Sequence, residues 1–85
     1  MEKIITITNP TGLHARPAAM LVQKASSFPC QVSLVKQGKK GNAKSIMNVM
    51  ALGVKQNDEV TVITEGDQAA EALAAIVELL VNLKD

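Results

Sequence analysis

Aromatic side chains are nearly missing from this sequence: Phe28 is the only one, and tryptophan and tyrosine do not occur. That removes the stacking platforms on which single-stranded nucleic acids lie, and it leaves the core to aliphatic residues. An excess of either charge is missing too. Lys and Arg number 9 against 8 Asp and Glu, and a net charge of +1 argues against any broad nucleic-acid footprint. Cys30 stands alone, so no intrachain disulfide forms and the chain reads as a reduced, cytoplasmic protein. One His and one Cys without clustered acidic partners offer no zinc or iron ligand set, and no cofactor is implied. No apolar run is long enough to cross a membrane, because Glu71, Glu78 and Asn82 interrupt the stretch from Ala69 to Leu83. The opening Met1-Glu2-Lys3-Ile4 also lacks the hydrophobic region of a signal peptide.

What is present is enough apolar material for one core. A chain of 85 residues with 47% hydrophobic content reads as a single globular domain spanning 1–85, with a monomer as the default. Alternation over Lys3 to Thr8 predicts a strand with Ile5 and Ile7 on one face, and Asn9-Pro10-Thr11-Gly12 predicts a turn. Arg16 to Ser27 predicts a helix with Ala18, Leu21, Val22 and Ala25 inward and Gln23 and Lys24 outward. Strands follow at Gln31 to Lys36 and Lys40 to Ala43, joined by Gln37-Gly38. A short helix from Ile46 to Leu52 stops at Gly53, and a strand covers Glu59 to Thr64. A last helix, capped by Gly66-Asp67, carries the stripe Ala69, Leu73, Ile76, Val77, Leu80 and Leu83. The order βαββαβα, with helices interleaved with a sheet expected to be antiparallel, is that of an α+β fold.

The lone histidine, His14, stands in Gly12-Leu13-His14-Ala15-Arg16-Pro17, where the first helix begins. Imidazole exchanges protons near neutral pH and is a nucleophile. Pro17 suits a first turn, where a missing N–H matters least. The amides of Ala15, Arg16 and Ala18 fall in that turn, outside the helix's own ladder, and form an anion site to which Arg16 adds a guanidinium fork. A nucleophile, helix-start amides and a fixed cation together suit a phosphoryl group.

A second feature lies further along. Ser45 is a natural N-cap for the short helix, which is apolar on every side. Ile46, Met47, Val49, Met50, Ala51 and Leu52 cannot all face inward, so some of Ile46, Met47 and Met50 is expected at the surface, where flexible methionine suits partner binding. Deeper burial of the whole helix is the alternative. Phosphorylation of Ser45 would add about −1.5 to −2 charge beside that patch. The overlapping run Gly38-Lys39-Lys40-Gly41-Asn42-Ala43-Lys44-Ser45 nearly fits a P-loop, but Ala43 occupies a required glycine and the chain is too short for that fold. Its lysines 39, 40 and 44 read by default as a solvated rim, with a docking patch as the alternative.

These residues resemble a known family end to end: HPr, the histidine-containing phosphocarriers of the bacterial phosphoenolpyruvate-dependent sugar phosphotransferase system. Gly12-Leu13-His14-Ala15-Arg16-Pro17-Ala18 is similar to the family's active-site signature, and Lys44-Ser45-Ile46-Met47 with Val49-Met50 and Leu52-Gly53 to its regulatory-serine signature. The resemblance implies an open-faced β-sandwich, a four-stranded antiparallel sheet in the order 1-4-2-3 with helices on one face. It implies a relay rather than an enzyme: His14 takes a phosphoryl group on Nδ1 from phosphorylated enzyme I and passes it to IIA domains of sugar permeases, with Arg16 helping to hold it. Ser45 matches the target of HPr kinase/phosphorylase in Gram-positive-type bacteria, whose product binds catabolite control protein A and accepts poorly from enzyme I. Ile46, Met47 and Met50 match the docking patch, with Gln23 and Lys24 bordering it. Asn48 departs from the family by standing where glycine is often found, and Pro29-Cys30 is unusual before the second strand, where Cys30 is expected only to pack.

Overall fold

Alternating burial organises the sheet. Strand β1 (Glu2–Thr6) buries Ile5, β2 (Gln31–Lys36) buries Val32 and Leu34, β3 (Lys39–Asn42) buries Gly41, and β4 (Glu59–Glu65) buries Val60, Val62 and Thr64. In the computed structural model, which describes residues 1–84, these strands form one sheet in the order β1-β4-β2-β3. Every pairing is antiparallel; Leu34 lies opposite Val62 on one side and Gly41 on the other. Helices α1 (Ala15–Ser26), α2 (Ile46–Ala51) and α3 (Ala69–Val81) complete the order βαββαβα. The inward residues of the sheet share one aliphatic core with Ala18, Leu21 and Ala25 of α1, Val49 of α2, and Ala72, Ile76 and Leu80 of α3. Helices therefore cover one face, and on the other Ile4 is exposed. Cys30 joins the core at 2% exposure. Each fully buried Leu, Ile or Val contributes about 1.5–3 kcal/mol relative to exposure.

Several boundaries differ from the sequence reading for local reasons. Strand β1 ends at Thr6 rather than Thr8. The Ile7 amide still donates to the Asp58 carbonyl at 2.9 Å, in register with the Thr6–Glu59 pair, but the Ile7 carbonyl accepts from Asn57 while the Asp58 amide turns to the Lys55 carbonyl. Strand β3 begins and ends one residue earlier than predicted, although the Ala43 amide still bonds the Val32 carbonyl at 2.9 Å. Helix α3 is capped by Gln68 in a left-handed conformation, not by Gly66-Asp67. Buried Thr64 reaches across that turn, its hydroxyl donating to the Ala69 carbonyl at 2.7 Å. The α3 stripe is centred on Ala72, Ile76 and Leu80, with Ala69, Leu73, Val77 and Leu83 half-buried beside it. Ala72 is invisible to a search for large side chains, yet it is wholly buried.

Candidate functional site

The chain approaches His14 through a fixed turn. Asn9 is buried, its Nδ2 donates to the Gly12 carbonyl at 2.8 Å, and the Gly12 amide donates to the Asn9 carbonyl at 3.1 Å. Gly12 has φ +61°, and a Cβ there would lie 2.3 Å from the Val54 carbonyl oxygen. Only glycine fits that conformation and that approach. Next, Leu13 is buried, with its amide bonded to the same Val54 carbonyl at 3.1 Å. Thus the two residues before His14 are clamped to the segment that follows α2.

That supporting segment is itself tied down. Lys36 Nζ donates to the Gly53 carbonyl at 2.7 Å and pairs with Asp58 Oδ2 at 2.8 Å. The Lys55 amide donates to the same carboxylate at 2.8 Å, and Gln56 Nε2 donates to the Thr8 carbonyl at 3.1 Å. The Lys36 hydrogen bond, aided by the Lys55 amide, holds the Asp58 carboxyl below the usual carboxylate range. Sequence reading missed Val54, Lys55 and Asp58 as supports, because nothing local marks a loop that backs another loop.

His14 is the N-cap of α1, with extended backbone (φ −82°, ψ −167°) and a side chain that makes no capping bond. It is exposed, as are Ala15 and Arg16, while Pro17 and Ala18 are buried. Because α1 begins at Ala15, one residue earlier than predicted, Pro17 is its third residue. One expected feature of the anion site is corrected by the same shift: the Ala18 amide donates to the His14 carbonyl at 2.8 Å and closes the first turn of the helix. Ala18 therefore offers no amide to an anion. Ala15 and Arg16 hold the first two positions, which an α-helix's own ladder does not reach. An exposed imidazole at the positive end of α1, next to an exposed guanidinium, is arranged to receive an anionic group.

Ser45 caps α2 as the sequence implied. Its Oγ accepts from the Asn48 amide at 3.3 Å and from Asn48 Nδ2 at 3.0 Å. Residue 48 was noted in the sequence only as a departure from glycine. The spacing of three from a cap serine was the available signal, since a polar side chain there reaches back to the cap. Around α2 the apolar residues divide: Val49 is buried, while Ile46, Met47 and Met50 are 42%, 80% and 39% exposed. Lys39 and Lys40 are exposed beside them, but Lys44 is not part of a solvated rim, because its Nζ donates to the Phe28 carbonyl at 2.7 Å. Gln23 and Lys24 lie along the clefts between α1 and α3 with Met20 and Leu79, and no α2 residue lines those clefts. The structure therefore groups Gln23 and Lys24 with α3 rather than with the α2 patch they were expected to border.

Among the described residues no His, Cys, Asp and Glu cluster is arranged to hold a metal ion, and no helix is long and apolar enough to cross a membrane.

Known proteins share this architecture. A family model described as the PTS HPr component phosphorylation site matches residues 1–82. The phosphocarrier protein HPr of Mycoplasma pneumoniae is 45% identical over 82 residues, spanning 94% of this chain and 93% of that protein. The crystal structure of HPr-C-His from Thermoanaerobacter tengcongensis superposes with a TM-score of 0.93 at 52% identity, covering 95% of this chain and 91% of its own. Crh, a catabolite repression protein of Bacillus subtilis seen as a domain-swapped dimer, superposes with a TM-score of 0.80 at 43% identity, covering 95% and 93%. With a family match over nearly its whole length and the sheet order 1-4-2-3 beneath it, the chain belongs to the HPr family, the phosphocarriers of the phosphotransferase system.

Proposed function

We propose that residues 1–85 act as one monomeric cytoplasmic domain in which His14 accepts a phosphoryl group on Nδ1 from phosphorylated enzyme I and yields it to IIA domains of sugar permeases. The observation that carries this reading is the exposed His14 side chain, uncommitted to capping, at the start of α1 beside Arg16. In the accepting step the Nδ1 lone pair forms a bond to phosphorus as the bond to the donor breaks, and the electron pair of that bond returns to the donor. Much of the charge in such a transfer rests on the phosphoryl oxygens. The Arg16 guanidinium and the Ala15 amide, with the helix dipole, are suited to meet it. His14 is regenerated after each cycle, and donor and acceptor enzymes supply the catalysis, so the chain is a relay.

Regulation belongs to the second site. Ser45 is the residue that HPr kinase/phosphorylase modifies, and the serine-phosphorylated form binds catabolite control protein A. The exposed Ile46, Met47 and Met50 form the apolar contact for these partners, supported by their position on the helix that Ser45 caps.

Intact-protein mass spectrometry after incubation with enzyme I and phosphoenolpyruvate tests the carrier role. The expected result is one acid-labile phosphoryl group on the wild type and none on His14→Ala. Equal labelling of the two proteins would overturn the assignment. No label on either, with an active enzyme I, would favour a purely regulatory protein acting through Ser45.

A further inference from the structure

The Ser45 hydroxyl holds more hydrogen bonds than an N-cap requires. Capping needs one, from a backbone amide of the first turn, and the Asn48 amide supplies it at 3.3 Å. The Asn48 carboxamide adds a second, from Nδ2 at 3.0 Å. A hydroxyl oxygen has two acceptor lone pairs, so these bonds occupy both. At its other end the same carboxamide accepts, through Oδ1, from the Asn42 amide at 3.5 Å. Asn48 thus bridges the end of β3 to the start of α2 across the face of Ser45.

We propose that Asn48 is a positioning residue that masks the Ser45 nucleophile and sets the rate at which Ser45 is phosphorylated; the inference rests on Ser45 being the modified residue. Phosphorylation by a kinase using a nucleoside triphosphate joins Ser45 Oγ to the terminal phosphorus. The bond from that phosphorus to the diphosphate breaks with its electron pair, and the hydroxyl proton passes to a base of the kinase. The new O–P bond needs an Oγ lone pair aimed at phosphorus, so one of the two hydrogen bonds must open. The backbone bond is fixed by α2, whose next turn is closed by the Val49 amide on the Ser45 carbonyl at 3.0 Å. The carboxamide alone can leave, by rotating about its side-chain torsions. Asn48 is exposed, so its released amide is hydrated at once. Rotation also frees the Asn42 amide, and a kinase that displaces Asn48 therefore loosens the link from β3 to α2.

The test compares wild type with Asn48→Ala under the serine kinase and a nucleoside triphosphate, reading phosphate on Ser45 and separating kcat from KM. The substitution keeps a good helix former and the backbone cap while removing the mask. The expected result is a kcat higher by roughly 2- to 10-fold, the range one neutral hydrogen bond spans, with KM unchanged and His14 acceptance from enzyme I unchanged. Labelled wild type with an equal or slower Asn48→Ala would overturn the mask and leave the Ser45 assignment standing. No Ser45 label on either protein, from a kinase that modifies another HPr, would overturn both. A kinase-free readout is the NMR position of the Asn48 carboxamide protons. A shift toward the hydrated-amide range in Ser45→Ala supports the bond, and an unchanged position contradicts it.

Discussion

Gly12 sets where the imidazole of His14 stands. Its left-handed φ and its approach to Val54 leave no room for a Cβ, and buried Leu13 then fixes the chain one residue before the histidine. Gly12→Ala is expected to destabilise the fold by at least about 1–3 kcal/mol through backbone strain. It should also slow His14 phosphorylation at temperatures where the protein is still folded. Thermal melts and initial labelling rates check both, and wild-type behaviour in both would contradict the clamp. Arg16 is a different case, because it is exposed at the start of α1. Arg16→Ala should leave the melting temperature nearly unchanged while slowing transfer roughly 10- to 100-fold, the range of one charge-assisted hydrogen bond. Unchanged kinetics would remove the guanidinium from the account.

Two short stretches, α2 and the segment that follows it, flank the two sites. Helix α2 buries Val49 alone and turns Met47 outward at 80% exposure. Met47→Ala should therefore weaken enzyme I binding in a titration while moving the melting temperature little, and a large stability loss with normal binding would make Met47 a packing residue. The segment from Gly53 to Asp58 supports the His14 turn, and its anchor is the Lys36–Asp58 pair. Asp58 has its folded pKa lowered, so its stabilising effect is complete above the ordinary carboxylate value of about 3.9 and is lost as pH falls through the lower folded value. Melts of wild type and Asp58→Asn should differ near neutral pH and converge below about pH 4; a difference that persists in acid would show that the charge is not its source. The Lys36–Asp58 support was not legible in the sequence, because the two residues are far apart along the chain and lie in no motif. By contrast, Ser45 as a cap and the exposure of some of Ile46, Met47 and Met50 followed from local spacing, since six residues of helix cannot bury every side.

For the molecule as a whole, strand alternation and helical stripes carried most of the architecture. Val32, Leu34, Val60 and Val62 alternate as a half-buried sheet must, and Leu21, Ile76 and Leu80 fall on helix faces with the expected period. The strand order came from family resemblance rather than from periodicity, because alternation says which face a residue takes and not which strand lies beside it. Ends of elements were the least legible part. The one-residue earlier start of α1 is the consequential case, since it closes the Ala18 amide into the helix and leaves the helix start to Ala15 and Arg16. In a carrier built this way the proposed acceptor, His14, stands on a hydrogen-bonded turn at one end of a helix, above the aliphatic core. The most direct test is NMR of the enzyme I-phosphorylated protein, with nitrogen correlations of the His14 ring and the α1 amides. Phosphorus on Nδ1, a large shift of the Ala15 amide, and an Ala18 amide still bonded to the His14 carbonyl are expected. Phosphorus on Nε2, or an Ala15 amide that does not move, would contradict the proposed site.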